Sequence, residues 1–158
     1  MKIMKKLLLI VCLFCIGTLA QAQDYGTGIG IRGGSANGLT IKHFIKNNAA
    51  LEGIISSRWQ GVNLTGLYEI HARAFNEPGF NWYYGFGGHI GFWDGDHAHW
   101  GDDGKDYTVL GLDGILGLEY NIREIPINLS VDWKPALNLI GYSGLWGDGF
   151  ALSVRYVF

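Results

Sequence analysis

The sequence predicts an all-β fold, an eight-stranded antiparallel up-and-down transmembrane β-barrel, from three observations. Eight segments alternate between apolar and polar residues at a period of two, which is the period of β-strands. One face of the fourth segment is too polar for a core between packed sheets, since it carries Asn63, Thr65, Glu69, His71 and Arg73. The last segment has an unbroken apolar face opposite an arginine. An apolar outside and a polar inside are typical of transmembrane barrels.

Residues 1–22 have the composition of a secretory signal peptide. Three lysines in the first six residues precede an apolar run over residues 7–19, and Ala20-Gln21-Ala22 supplies a small-x-small cleavage pattern. We therefore expect cleavage after Ala22 and a single β-barrel domain over residues 23–158. No run of about twenty apolar residues follows, which argues against a transmembrane helix.

Charge and cysteine content restrict the function classes. Removing residues 1–22 takes three of the 12 lysines and arginines, which leaves nine cations against 14 Asp and Glu residues, a net charge of −5. This balance argues against a nucleic-acid partner. Both cysteines lie in the signal peptide, so the exported chain cannot form a disulfide. Barrel closure, which pairs the strand edges, is another way to stabilise it.

The first four predicted strands are separated by short turn signals. They run from Tyr25 to Gly33, from Leu39 to Ile45, from Ala49 to Trp59 and from Val62 to Ala74. Ser35-Ala36-Asn37-Gly38 is a hairpin signal between the first two. Within each strand, apolar residues alternate with polar ones.

The last four predicted strands include the longest breaks. They run from Trp82 to Trp93, from Tyr107 to Asn121, from Ile127 to about Pro135 and from Phe150 to Phe158. The two longest breaks are an acidic one at residues 94–106 and a glycine-rich loop at residues 140–148. Pro135 cannot donate to a ladder, so we place it at or beyond the outer rim, at a bulge.

Connection lengths support the same topology. With both termini on the periplasmic side, three connections share that side, at residues 46–48, 76–81 and 122–126, and all are short. The two longest breaks then lie on the outer side. Short inner turns and long outer loops are the asymmetry expected of outer-membrane barrels.

The stretch EIPINLSVDWKP at residues 124–135 resembles one that recurs in small predicted outer-membrane proteins of Bacteroidota. With the signal peptide and the final strand, the whole chain is similar to the OmpA/OmpX-like class of eight-stranded barrels. The resemblance implies a place in the lipid of the outer membrane and no defined activity. It also implies that the barrel assembly machinery recognises the C-terminal strand through Val154, Tyr156 and Phe158.

Charged residues at inward positions form the most informative set. Six cations face five carboxylates: Arg32, Lys42, Arg58, Arg73, Lys134 and Arg155 against Glu52, Glu69, Asp113, Glu119 and Asp132. An eight-stranded barrel is only wide enough for its side chains, and an unpaired buried charge is costly. We therefore predict a lumen filled by ion pairs, with a proton- or ion-conducting lumen as the alternative.

These observations predict a monomeric outer-membrane protein with a structural or surface-interaction role, a non-conducting lumen, no cofactor and an extracellular ligand that the sequence does not identify. One alternative is an enzyme that modifies envelope lipid, as in other small barrels. That chemistry needs a serine, a histidine and an acid held together near the outer rim. Because His71 and His89 point inward from mid-strand, we expect no enzyme.

Two further alternatives concern ligands. A soluble periplasmic barrel of the lipocalin type would have an apolar interior and a polar outside, the reverse of the pattern here. The acidic loop could bind a metal ion through Asp94, Asp96, His97, His99, Asp102, Asp103 and Asp106, but its spacing matches no EF-hand. We favour a solvated surface loop without metal.

Overall fold

The computed structural model describes residues 24–58, 60–94, 106–141 and 143–158. They form a closed, eight-stranded antiparallel β-barrel, which confirms the predicted all-β, eight-stranded architecture. Its strand segments are β1 (Thr27–Gly34), β2 (Asn37–Lys46), β3 (Ala49–Arg58), β4 (Gly61–Arg73), β5 (Phe80–Asp94), β6 (Asp106–Ile122), β7 (Ile127–Trp133), β8 (Ala136–Ile140), β9 (Gly144–Trp146) and β10 (Phe150–Val157). The predicted signal peptide lies outside the described residues.

Closure follows from the pairing of the first and last strands. Neighbours in sequence pair from β1 to β7, and β10 pairs with both β7 and β1. The seam between β1 and β10 runs from Gly28 opposite Val157 to Gly34 opposite Ala151. Two further bonds between the backbones of Thr27 and Phe158, at 2.8 and 2.9 Å, extend it to the end of the chain.

The ten segments make eight barrel strands, because β8 prolongs β7 along β6, and β9 prolongs β10 along β8. We call β7 with β8 the seventh strand and β9 with β10 the eighth strand. Both continue past the position where we predicted a loop. The predicted glycine-rich loop at residues 140–148 is therefore wrong in extent, because most of it forms the hairpin between β8 and β9.

Pro135 lies within the seventh strand, so its predicted place at or beyond the outer rim is also wrong. Its carbonyl accepts a hydrogen bond from the Gly114 amide at 2.9 Å, so the ladder with β6 lacks only the bond that proline cannot donate. On the other side, the Lys134 amide donates to the Gly149 carbonyl at 2.8 Å, and the next paired residue, Ala136, lies opposite Trp146. Between these two pairs the seventh strand has only Pro135, whereas the eighth strand has Gly147 and Asp148. The eighth strand thus carries one extra residue here, which is a β-bulge.

The strands are inclined to the barrel axis. Following cross-strand partners from Arg155 once around the wall leads back to Gly144, on the same eighth strand but eleven residues away. The path passes through Gly30, Thr40, Ile54, Thr65, His89, Gly111 and Asn138. A stagger of this kind is what closure of a tilted sheet requires.

The two faces of the wall have opposite polarity. In β10, Phe150, Leu152, Val154 and Tyr156 are exposed, while Ala151, Ser153 and Arg155 are buried. The same alternation holds in the other strands, where exposed apolar residues include Ile31, Ile41, Ile55, Leu64, Phe86, Leu112 and Val131. The barrel therefore presents an apolar outside and buries a set of charged side chains inside, as the sequence predicts.

The rim opposite the termini is slanted. β1 and β2 have eight and ten residues, whereas β5 and β6 have 15 and 17. Strand length rises from β1 to β6 without decreasing at any step, so the wall is lowest beside β1 and β2. No helix in the described residues is long and apolar enough to cross a membrane.

Candidate functional site

The lumen is the candidate site, and its lower part is organised around Lys42 of β2. The Lys42 ammonium lies 2.8 Å from Glu69, 3.5 Å from Glu52 and 3.7 Å from Glu119, on β4, β3 and β6. It also sits 3.9 Å above the centroid of the Tyr83 ring, within the range of a cation–π contact. One cation thus joins three carboxylates from three other strands.

Arg155, from the closing strand β10, is the second cation of this group and is fully buried. Its guanidinium forms an ion pair with Glu52. It also donates to Ser130 at 2.8 Å, to Asn128 at 3.1 Å and to Thr40 at 3.4 Å. These partners place the planar donor set of arginine between β2, β3 and β7.

His71 of β4 completes the lower group. Its Nε2 lies 3.0 Å from Glu69 and its Nδ1 lies 3.3 Å from Glu119. The imidazole stacks on Tyr83, with ring centroids 5.0 Å apart and 16° between the planes. Three carboxylates face two permanent cations in this group, so a proton on His71 would balance its charge.

A separate ion pair joins β1 and β7. Arg32 of β1 and Asp132 of β7 form a bidentate ion pair, one bond of which measures 2.7 Å. The Tyr83 hydroxyl donates to the same carboxylate at 3.1 Å. Bidentate arginine–carboxylate pairs fix geometry as well as charge, so this contact links β1 to β7 across the intervening β10.

A second group lies further from the termini, around Asp113 of β6. Its carboxylate is 2.6 Å from His89 Nδ1 and 2.6 Å from the Lys134 ammonium. The other ring nitrogen of His89 lies 2.9 Å from the side-chain oxygen of Asn138. His89 is therefore held on both sides by inward residues from β6 and β8.

The rim opposite the termini is closed by aromatic rings and one more ion pair. Trp93 and Trp146 meet edge to face, with centroids 5.6 Å apart, and Arg58 lies 5.7 Å from the Trp146 ring. Arg58 donates to both carboxylate oxygens of Asp148, at 2.5 and 3.2 Å. These bonds hold the pKa of the Asp148 carboxyl below its usual value.

Of the eleven charged residues predicted to face the lumen, ten are thus in ion pairs with one another or with Asp148. The eleventh, Arg73, is half-buried at the terminal end of β4 and also takes part in an interaction. The residues of the predicted assembly signal, Val154, Tyr156 and Phe158, are exposed on the outer face. Their recognition by assembly machinery stays a prediction.

Large apolar side chains also fill the lumen, and the prediction overlooked them. Ile54, Leu67, Tyr83 and Ile115 form one buried cluster. They occupy inward positions of the same alternation, as Leu67 does between Thr65 and Glu69. The sequence signal that could have identified them was therefore their spacing of two residues from polar inward residues.

Inward glycines make room for the largest rings. A Cβ on Gly117 would lie 2.5 Å from the Tyr83 ring, and one on Gly61 or Gly91 would lie 2.2 or 2.0 Å from the ring of Trp93. The alternation of glycine with bulky residues therefore sets the packing of the lumen.

The buried histidines of the described residues are held by polar contacts. Both buried histidines contact carboxylates, and His89 also contacts an amide. Among the residues that the structure describes, no group of three His, Cys, Asp or Glu side chains is arranged to hold a metal ion. Most of the acidic loop, residues 95–105, lies outside the described part, so metal binding there stays an open alternative.

Comparison with protein-family models and with curated proteins finds no match to this chain.

Proposed function

We propose that this protein is an integral outer-membrane β-barrel with a structural or surface-interaction role and a lumen closed by ion pairs. The observation that carries this proposal is the reversed polarity of the wall. Fully buried charges such as Lys42, Glu69 and Arg155 face inward, and large apolar side chains such as Ile31 and Leu152 are 64% and 66% exposed. So much exposed apolar surface would make a soluble barrel aggregate, whereas lipid accepts it.

The paired lumen supports the non-conducting part of the proposal. Tiers of ion pairs, a cluster of apolar side chains and two tryptophans occupy successive levels of the interior. An eight-stranded barrel leaves space for its side chains and little else. An ion would have to displace these contacts in order to pass.

Cell fractionation tests the location. We expect the protein in the outer-membrane fraction, with folded and heat-unfolded forms that migrate differently on a detergent gel. Recovery from the soluble periplasmic fraction would refute the proposal and favour a ligand-binding barrel.

A further inference from the structure

Two buried histidines of the described residues, His71 of β4 and His89 of β5, lie in surroundings of different charge. Their side chains are only 1% and 5% exposed, so each group of contacts must balance its charge without help from bulk water. We call the first of these the lower group, and its charged members besides His71 are Lys42, Glu52, Glu69, Glu119 and Arg155.

The lower group has one more carboxylate than it has permanent cations. Carboxylates come from β3, β4 and β6, cations come from β2 and β10, and all five side chains are fully buried. Neighbouring residues do not supply the missing positive charge. Tyr25, ahead of β1, and Tyr83 of β5 contribute phenols, and Arg32 is already paired with Asp132. One bound proton would make the group neutral, and an unbalanced buried charge is costly.

The contacts of His71 indicate where that proton lies. Its Nε2 is 3.0 Å from Glu69 and its Nδ1 is 3.3 Å from Glu119. A carboxylate only accepts hydrogen bonds, and a neutral imidazole has a single N–H. Neutral His71 would therefore direct the lone pair of one ring nitrogen at a carboxylate oxygen, whereas an imidazolium points an N–H at both. The imidazole also stacks on the face of Tyr83, which attracts a cation.

His89 does not need a second proton. Its Nδ1 lies 2.6 Å from Asp113, and the charge of that carboxylate is balanced by Lys134, also at 2.6 Å. Its Nε2 lies 2.9 Å from the side-chain oxygen of Asn138, and a half-turn of this amide would place the amide nitrogen there instead. A neutral His89 with its proton on Nδ1 therefore satisfies both contacts.

We propose that the lower group is a proton-binding site of the folded barrel, in which His71 is an imidazolium held between Glu69 and Glu119, whereas His89 is neutral. Above the pH range in which an ordinary histidine titrates, folding then takes up a proton. Loss of this proton leaves a buried negative charge, so the barrel becomes less stable as the pH rises. The site lies inside the wall, and the inference therefore does not depend on the proposed membrane location.

Nitrogen NMR of the folded barrel in detergent micelles tests the charge states, with isotope-labelled histidine rings assigned by correlation with the backbone. The spectrum is recorded at about pH 8, where an ordinary histidine with a pKa of about 6.5 is neutral. We expect both ring nitrogens of His71 to show the chemical shifts of protonated nitrogen, and those of His89 to show one protonated and one unprotonated nitrogen. An unprotonated nitrogen on His71, or a second proton on His89, would overturn the proposal.

Glu119→Gln tests the charge balance, because it removes the excess carboxylate and keeps the shape of the side chain. The new amide can donate to Nδ1, so we expect His71 to become neutral at the same pH. Glu77→Gln is the matched control, since it removes an exposed carboxylate of the turn between β4 and β5, and His71 should keep both protons. Identical His71 spectra in the two variants would contradict the role of the third carboxylate.

Urea unfolding at a series of pH values tests the link between the proton and stability. The folded barrel keeps the proton on His71, whereas the unfolded chain releases it above about pH 6.5, so the free energy of unfolding should fall as the pH rises. We expect the slope for wild type to exceed that for His71→Gln by about one bound proton. Equal slopes would place the proton on another group and overturn the assignment. If a variant fails to fold, the wild-type NMR spectrum still decides.

Discussion

Val131 shows the polarity of the wall at a single position. Its side chain is 46% exposed on the outer face of β7, between the buried Ser130 and Asp132. We expect Val131→Arg to lower the free energy of unfolding in lipid vesicles by about 2–4 kcal/mol, because arginine would face hydrocarbon. Val131→Leu is the control and should change it little. Equal effects of the two substitutions would contradict the lipid-facing assignment.

Arg155 tests the interior. Arg155→Ala would leave Glu52 without its guanidinium partner, and we expect a loss of about 3–5 kcal/mol in the free energy of unfolding. The double variant Arg155→Met with Glu52→Gln removes both charges and should recover most of this loss. Urea unfolding in detergent measures both. A double variant as unstable as Arg155→Ala would mean that charge pairing is not what Arg155 contributes.

Asp148 provides a pH dependence at the rim. Arg58 lowers the pKa of its carboxyl in the folded protein, so the pair stabilises the barrel above the unfolded value of about 3.9. That stabilisation is lost as the pH falls through the folded value, and it is small because the Asp148 side chain is 64% exposed. Carbon NMR of the Asp148 carboxyl should show its pKa rise towards the ordinary value in Arg58→Gln. An unchanged titration would contradict the pairing.

At the scale of elements, β10 combines two roles that can be separated. The Phe158 backbone exchanges hydrogen bonds with Thr27, and its side chain is exposed. Deleting Phe158 removes both, whereas Phe158→Ala keeps the backbone bonds. If assembly machinery reads the aromatic ring, both variants should insert slowly in cells. If only closure matters, Phe158→Ala should insert normally, as judged by the heat-modifiable fraction over time.

The alternation of single strands predicted the fold well, because each strand has an apolar outer face and a face that lines the lumen. The same pattern did not identify the partners of Lys42 or Arg32. Those contacts depend on register and tilt, which bring together residues as distant in sequence as Arg32 and Asp132. Our prediction misplaced Pro135. A proline is tolerated in a strand or not according to which neighbouring strand its missing N–H would have bonded, and that neighbour is known only once the strands are paired.

At the scale of the whole molecule, the filled lumen predicts a poor pore. In planar bilayers we expect wild type to give rare, small openings or none, since ion pairs and apolar side chains fill its interior. Arg155→Ala should open more often, because it removes a fully buried side chain from the lower tier. Steady large conductance in wild type, blocked by a solute, would instead favour a transport function.

The slanted rim has a consequence for the surrounding bilayer. At about 3.3 Å per residue and a tilt of about 40°, the eight residues of β1 rise about 20 Å and the 17 of β6 about 43 Å. In the proposed outer-membrane location, a hydrocarbon band of about 25 Å would exceed the height of β1, so the lipid would thin beside β1 or the barrel would lean, whereas β6 would extend beyond the band. The seam with β10 lies on this short side. We therefore expect the last strand pairing to close where the membrane is thinnest and its deformation during insertion is smallest.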